Sequence, residues 1–170
     1  MKIGKVIAIL LLSYIFVTSV TYAQKGANAS ANISISIVKA LQINQVKGDL
    51  SFAELVQSGV SSKVTRTPDK GILFEVNGAA GREVVVDYQT TPLNNNISSN
   101  SSIQFIPEVN HTYSNSNYTN PISVTNGESY QLTNRDGDGL LYLWVGGEMD
   151  IDSDLPSGIY TGEFAVTVSY

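Results

Sequence analysis

Acidic side chains give this sequence its first candidates for chemistry. The run Asn134-Arg135-Asp136-Gly137-Asp138-Gly139 matches the opening of a calcium loop, in which alternate side-chain oxygens converge on one cation and a glycine permits a sharp turn. The candidate ligands are Asn134, Asp136 and Asp138. Val145 stands where such a loop carries a glutamate. Because Asp-Gly pairs are also common in hairpin turns, the motif predicts either a turn or a calcium site.

A second acidic run alternates along the chain. Glu148, Asp150, Asp152 and Asp154 are two residues apart, which places four carboxylates on one side of an extended segment. Like charges at this spacing repel one another, so these carboxylates must be solvated or must hold a cation. Charged side chains also prevent unwanted pairing at a sheet edge, and the pattern therefore favours a solvated edge strand.

Residue types that support catalysis are few. His111, in a polar segment, is the single histidine, and the sequence has no cysteine and no Gly-x-Ser-x-Gly motif. Neither a metal-ligand set at the usual spacing nor a nucleophile elbow is therefore present. We expect a protein that is not an enzyme and that has no cofactor, apart from calcium at the candidate loop.

The first 23 residues differ from the rest. Two lysines precede an apolar run over residues 6–17, and small residues then lead to Ala23. This order is typical of a secretory signal peptide, and the apolar run is too short to cross a bilayer. We predict a signal peptide over residues 1–23 and a single exported domain without a membrane span over residues 24–170. The expected location is the periplasm, the cell surface or the extracellular space.

The predicted mature chain is acidic and contains no cysteine. Without the two lysines of the signal peptide, eight basic and 15 acidic residues remain, which gives a formal charge of −7. The basic residues are scattered, so neither nucleic acid nor an anionic membrane is an expected partner. No disulfide can form, and the stability of the domain must come from its core.

The start of the predicted mature chain alternates strongly. Small and then β-branched residues occupy the odd positions from Ala27 to Ile37, with Asn and Ser between them, and apolar residues continue to Ile43. This period of two predicts an amphipathic strand with a leader. The segment forms either the first strand of the fold or an extension that pairs with a neighbouring subunit.

The middle of the chain predicts further strands. Residues 50–52 are predicted as a short strand, and residues 71–77 and 83–89 as a hairpin joined by the turn-forming residues 78–81. Residues 90–134 are rich in Asn and Ser. We expect them to form long loops around short strands and to contribute little to the core.

The stretch from Leu140 to Tyr170 organises the rest of the chain. It predicts an apolar strand, an acidic link, a turn and a last strand that begins at Tyr160. One face of the last strand is apolar and the other is polar, as in a sheet with one buried face. The apolar face carries Tyr160, Gly162, Phe164, Val166, Val168 and Tyr170. The sequence therefore predicts an all-β protein with an antiparallel β-sandwich.

The same C-terminal residues carry a family resemblance. Gly146-Gly147, an acidic link and residues 155–170, LPSGIYTGEFAVTVSY, resemble the end of the DUF4402 family of exported bacterial domains. Upstream, the alternating Ala/Ile segment, residues 50–52 and residues 74–78 follow the order expected for that family. Similar C-terminal strands occur in spore-coat-U-like and chaperone–usher pilin subunits. That wider resemblance implies an immunoglobulin-like sandwich and a role in surface fibres, although the pilin cysteine pair is absent.

The likeness to pilins implies strand exchange between subunits. The implied inserting residues are Ile33, Ile35 and Ile37, the implied accepting residues are Tyr160, Phe164, Val166 and Val168, and the implied anchor for an assembly chaperone is Tyr170. The implied partners are like subunits or a periplasmic chaperone and usher, and the implied function is that of a structural or adhesive fimbrial subunit. The alternative is a monomeric secreted module that binds carbohydrate, with or without calcium, through the loops between Gln89 and Asn134.

Overall fold

The computed structural model describes residues 32, 34–52, 54–56, 59–114 and 117–170. In this part of the chain, every regular element is a strand apart from one 3₁₀ turn at Pro68–Lys70. The strands are β1 (Gln42–Lys47), β2 (Ser62–Arg66), β3 (Ile72–Ala79), β4 (Glu83–Tyr88), β5 (Thr91–Asn95), β6 (Ser102–Thr112), β7 (Ile122–Ser123), β8 (Glu128–Gln131), β9 (Thr133–Arg135), β10 (Asp138–Ile151), β11 (Tyr160–Thr161) and β12 (Val166–Ser169).

The strands form two antiparallel sheets. The larger sheet has the order β1-β3-β10-β6-β5-β11, with β2 and β9 paired to β10 and β7 paired to β6. The smaller sheet has the order β12-β4-β8. Buried side chains from both sheets pack into one core cluster. The prediction of an all-β antiparallel β-sandwich is therefore confirmed.

The core between the sheets is built from alternating residues of the central strands. Leu141, Leu143 and Val145 of β10 are fully buried and pack with Val76 of β3 and Val86 of β4. Their spacing follows the two-residue period of a strand. Each fully buried aliphatic side chain contributes about 1.5–3 kcal/mol to the stability of the fold.

The central strand β10 is buried on its other face as well. Tyr142 and Trp144 form a second cluster with Leu73 of β3, and Tyr118 packs against it. Trp144 Nε1 donates a hydrogen bond to Thr112 Oγ1 at 2.8 Å. Burial on both faces explains why this strand is a nearly continuous apolar run in the sequence instead of an alternating one.

Gly146 and Gly147 permit a close backbone contact beside β10. A side-chain carbon on Gly146 would lie 2.5 Å from Pro68 N and 2.7 Å from the carbonyl carbon of Thr67, which are backbone atoms and not the end of a flexible side chain. A side-chain carbon on Gly147 would lie 2.6 Å from the ring of Phe105. The glycine pair therefore lets the chain between β2 and β3 lie directly against the larger sheet.

The predicted strands β3 and β4 are present, but the predicted hairpin is wrong. β3 lies in the larger sheet and β4 in the smaller sheet, and they do not pair with each other. Gly81, with φ of 73°, lies in the connection between them. Because Val76 and Val84 both point into the space between the sheets, this connection joins the two layers instead of two neighbouring strands.

Residues 50–52 form no strand, contrary to the prediction. Leu50 and Phe52 belong to an irregular segment and pack, partly buried, against the cluster formed by Ile103, Phe105 and Met149. This packing buries part of both apolar side chains, although the backbone forms no strand pairing.

Residues 90–134 contain more regular structure than predicted. They include β5 to β9, and β6 is an 11-residue strand that pairs with β10 in the interior of the larger sheet. Ile103, Phe105 and Val109 of β6 are buried. Exposed residues alternate with buried apolar ones at the start of β6, whereas both faces are buried at its end, where Asn110, His111 and Thr112 lie.

The predicted last strand is divided into two. β11 pairs with β5 in the larger sheet, whereas β12 pairs with β4 in the smaller sheet. The alternation is kept, because Phe164, Val166 and Val168 all pack against the main core. Gly162 fits the passage between the sheets, where a side-chain carbon would lie 2.6 Å from the carbonyl oxygen of Pro92.

The start of the described chain also differs from the prediction. Residues 34–41 form no strand, and β1 begins only at Gln42. Ile37–Tyr170 forms one compact unit. The predicted signal peptide lies outside the described residues. Among the described residues, no helix is long and apolar enough to cross a membrane.

Candidate functional site

An open groove lies between the two sheets. It has a volume of about 1270 Å³, which exceeds the range of about 300–1,000 Å³ typical of small-molecule pockets. Its lining comes mostly from the larger sheet and from irregular segments, and Val166 of β12 is the one described lining residue in a strand of the smaller sheet. The apolar lining includes Ile43, Phe74, Phe105, Met149, Phe164 and Val166. This size and lining favour an extended apolar occupant over a compact ligand.

Aromatic rings from three separate parts of the chain meet at the floor of the groove. The ring of Phe105 lies 6.1 Å from that of Phe52 and 6.2 Å from that of Phe164. Both pairs are edge to face, a geometry that contributes about 0.5–1.5 kcal/mol beyond the burial of the rings. Because Phe105 belongs to β6 and Phe164 leads into β12, the contact ties the two sheets together beneath the groove.

The rim of the groove is acidic. Asp49, Glu54, Asp152 and Glu163 line it, and no lysine or arginine occurs among its described lining residues. Gln45 Nε2 donates to Asp49 Oδ1 at 3.4 Å. An apolar floor with carboxylates at the rim favours an occupant that combines apolar side chains with positive charge.

Two edge strands beside the groove have an unpaired edge within the described chain. β12 pairs only with β4, and β1 pairs only with β3. On each strand, alternate backbone N–H and C=O groups therefore point away from the partner strand. Val166, the first residue of β12, lines the groove. An unpaired strand edge next to an apolar groove is suited to the addition of an extended segment.

The candidate inserting residues are exposed where the structure describes them. Ile35 is 85% exposed and Ile37 is 87% exposed. Ile33 lies outside the described residues. The described part of this segment therefore presents two large apolar side chains, two residues apart, to solvent.

The C-terminal candidates divide between the groove and other sites. Tyr160, Phe164 and Val166 line the groove, whereas Val168 packs against the main core. The hydroxyl of Tyr170 is bonded within the chain, to the backbone of Ala79 and Lys39. The structure thus brings three of the five candidates together in the groove.

Sequence reasoning missed the part of the groove that the larger sheet provides. Phe105 was assigned to a loop-rich region, and Met149 was hidden within the acidic run. The signal that identifies them is a spacing of two, between Ile103 and Phe105 and between Met149 and Ile151. Alternation at both places predicts one apolar face on each strand.

A family model matches residues 41–170, a range that contains all of β1 to β12. The chain belongs to the DUF4402 family. The family is described as a domain of unknown function. No curated protein matches the chain. The groove lies wholly within the DUF4402 domain, whereas Ile35 and Ile37 precede it.

The first acidic motif forms the turn between β9 and β10 of the DUF4402 domain. Asp136 and Gly137 have φ of 56° and 95°, as in the type I′ turns that join hairpin strands. Asn134 Oδ1 accepts a hydrogen bond from the Gly137 N–H at 3.0 Å. The turn is therefore confirmed. Within the described residues, no three His, Cys, Asp or Glu side chains group as metal ligands would, and calcium at Asn134, Asp136 and Asp138 stays a prediction.

The second acidic run does not lie on an edge strand. Glu148 and Asp150 of β10 share one side of the strand, as predicted, but this part of β10 pairs with β2. Lys63 Nζ of β2 lies 2.6 Å from Glu148 Oε1 and 3.7 Å from Asp150 Oδ1. The hydrogen bond to Glu148 raises the pKa of Lys63. Asp152 and Asp154 follow the strand in a turn.

His111 of the DUF4402 domain lies in the core and not in a polar loop. It is 4% exposed, and its ring centroid lies 5.6 Å from that of Tyr113 and 5.1 Å from that of Tyr130. No described residue forms a hydrogen bond with its Nδ1. Burial disfavours the charged imidazolium and lowers the pKa of His111.

We expect the free energy of unfolding of the DUF4402 domain to fall as the pH drops below about 6.5, the ordinary pKa of histidine. The unfolded chain takes up a proton at His111 in this range, whereas the folded chain resists protonation until a lower pH, so protons favour unfolding. His111→Phe keeps the ring packing and removes the titration. Urea denaturation between about pH 7.5 and pH 5 compares the two proteins; equal pH dependence would contradict this interpretation.

Proposed function

We propose that this chain is an exported structural subunit that joins copies of itself by strand donation, as pilin-like surface assemblies do. The segment with Ile33, Ile35 and Ile37 of one copy occupies the groove of the next and pairs with the unpaired edge of β12. One observation carries the proposal: the unpaired edge of β12 lies beside a groove of about 1270 Å³, in a chain whose preceding segment exposes isoleucines at alternate positions.

Strand addition would give the backbone of the donated segment hydrogen-bond partners and would bury its apolar side chains. Ladder hydrogen bonds to β12 supply affinity, and alternate side chains supply the fit to the groove. Ile35 and Ile37 lie on the same face of an extended segment, about 6.6 Å apart along it. Each would gain about 1.5–3 kcal/mol on full burial against the apolar floor.

The charges of the two surfaces are complementary. The one charged side chain among residues 24–38 is Lys25, and the first carboxylate of the predicted mature chain is Asp49. The rim of the groove carries four carboxylates. Attraction between them favours this segment over an acidic one and predicts association that weakens as salt increases.

Chain geometry keeps Ile37 away from the far end of its own groove. Lys39 forms an ion pair with Asp138 at the start of β10, whereas Met149, near the end of β10, lines the groove. Eleven residues of strand separate Asp138 from Met149, a distance of about 36 Å. Ile37 is two residues from Lys39 and reaches at most about 7 Å from it. Ile37 therefore cannot reach the Met149 end of its own groove.

An open apolar groove needs protection before assembly, because exposed apolar surfaces promote aggregation. We therefore propose a periplasmic chaperone and an outer-membrane usher as assembly partners. The signal peptide predicted over residues 1–23 supports export, and we propose the periplasm and then the cell surface as the location of the protein.

Deletion of residues 24–37 tests the proposal. We expect the full mature chain to form oligomers and the deletion variant to elute as a monomer with a similar melting temperature. The deletion removes only the first residue of the compact unit, so the fold should persist. Size-exclusion chromatography with light scattering measures the masses. The proposal is wrong if the truncated protein assembles like the full chain, or if the full chain stays monomeric.

A further inference from the structure

Interactions from both sheets converge on Lys39, just before β1. The backbone N–H of Ala79 donates to Tyr170 Oη at 2.7 Å, and the same hydroxyl donates to the carbonyl oxygen of Lys39 at 2.9 Å. Lys39 Nζ lies 2.7 Å from Asp138 Oδ1. The guanidinium of Arg82 lies 5.3 Å from the centre of the Tyr170 ring. We call Tyr170, Asp138, Arg82 and the backbone of Ala79 the clasp.

The clasp connects Lys39 to both layers of the sandwich. Ala79 ends β3 and Asp138 begins β10 in the larger sheet, whereas Tyr170 directly follows β12 and Arg82 directly precedes β4 in the smaller sheet. The approach of the tyrosine is close, since a side-chain carbon on Gly78 would lie 2.6 Å from Tyr170 Oη. Lys39 is thus held by parts of the chain that are distant in sequence.

We propose that the clasp is a positioning device that fixes the point at which the N-terminal segment leaves the sandwich. The compact unit begins at Ile37, two residues before Lys39. Without the clasp, the next residue held is Leu41, which packs against the main core, and the free N-terminal segment lengthens by two residues, or about 7 Å. The role in assembly rests on the proposed function. A shorter free N-terminal segment limits the orientations in which the donated residues meet the next copy.

This role for Tyr170 differs from the one implied by the likeness to pilins. A chaperone anchor would present the tyrosine to another protein, whereas the Tyr170 hydroxyl already accepts from Ala79 and donates to Lys39. Both of its strong hydrogen-bonding directions are used within the chain. Tyr170 therefore acts on its own subunit.

Tyr170→Phe in the full mature chain tests the clasp, because it keeps the ring over Arg82 and removes both hydrogen bonds. The chain has no cysteine, so Ile37→Cys accepts a single nitroxide label. At concentrations at which the protein is monomeric, we expect Tyr170→Phe to increase the mobility of the label and to raise the exchange rate of the Ala79 amide about fivefold. Asp138→Asn should mobilise the label through loss of the ion pair with Lys39.

Tyr160→Phe is the matched control. This variant also loses a hydrogen bond to the backbone, from Tyr160 Oη to the Pro156 carbonyl. Because this bond lies at the groove and not at the clasp, we expect the mobility of the label and the exchange rate of the Ala79 amide to stay unchanged. A Tyr170→Phe chain that melts at a lower temperature while the label keeps its mobility would show a structural role only and overturn the proposal. The label and the Ala79 amide are measured in the monomer. Failure of the clasp is therefore distinguishable from failure of strand donation, which deletion of residues 24–37 reports through oligomer mass.

Discussion

A chain that carries both Ile35→Asp and Ile37→Asp is expected to lose self-association by about two to four orders of magnitude in Kd. The two isoleucines contribute about 3–6 kcal/mol if both are buried in the groove of a second copy. The new carboxylates would also face the acidic rim formed by Asp49, Glu54, Asp152 and Glu163. Analytical ultracentrifugation over a range of concentrations measures the change.

Ser34→Asp with Ser36→Asp is the matched control for these isoleucines. It adds the same charge to the same segment, but on the face that alternates with the isoleucines. We expect this variant to associate far more strongly than the isoleucine variant. Equal losses in both variants would mean that charge, and not burial of the isoleucines, governs association, and the groove would not be their binding site.

Gly146→Ala is expected to lower the free energy of unfolding by about 3 kcal/mol, at the upper end of the range for overpacking. The added methyl group would meet Pro68 N at 2.5 Å and the Thr67 carbonyl carbon at 2.7 Å. These are backbone atoms, so relief requires the 3₁₀ turn to move away from the larger sheet. Urea denaturation monitored by the fluorescence of Trp144 measures the effect, since Trp144 lies on the same strand.

Gly81→Ala separates this steric effect from the general cost of replacing glycine. Gly81 has φ of 73°, but a side-chain carbon there would have no other atom within 4 Å. We expect a loss of about 1–2 kcal/mol from backbone strain alone. If Gly146→Ala were no more destabilising than Gly81→Ala, the close contact beside β10 would not be rigid.

Local patterns in the sequence predicted those strands and turns that depend only on residues close together in the chain. The apolar run that became β10, the alternation of Phe164, Val166 and Val168, and the Asp136-Gly137 turn were all read correctly, because strand period and turn chemistry are properties of short segments. The structure explains Gly146-Gly147, which is part of the family resemblance. Gly146 lies against the start of the 3₁₀ turn and Gly147 against Phe105, and neither position has room for a side chain.

Pairing between distant segments could not be predicted in the same way. A hairpin between β3 and β4 and a connection between two sheets have the same local sequence pattern, and only the common core around Val76 and Val84 decides between them. His111 was placed in a loop because its neighbours are polar, although β6 directs it into the core. The groove is the clearest case, because its lining comes from strands and irregular segments that are distant in sequence.

The account assigns donor and acceptor to different parts of the chain. The exposed Ile35 and Ile37 precede residues 41–170, which the family model matches, whereas the groove and β12 lie within them. In the proposed assembly, the DUF4402 domain provides the acceptor, and the segment before it determines which chains can join. The acidic rim and Lys25 of that segment add a preference for copies of the same chain.

The most direct measurement of this account is hydrogen–deuterium exchange at Val166–Ser169 in the assembled mature chain and in the Ile35→Asp, Ile37→Asp variant. Strand donation predicts that the β12 amides pointing away from β4 are protected in the assembly and exchange rapidly in the variant. Amides elsewhere in the core, such as those of β10, should be protected in both. Equal exchange at β12 in the two proteins would contradict the account.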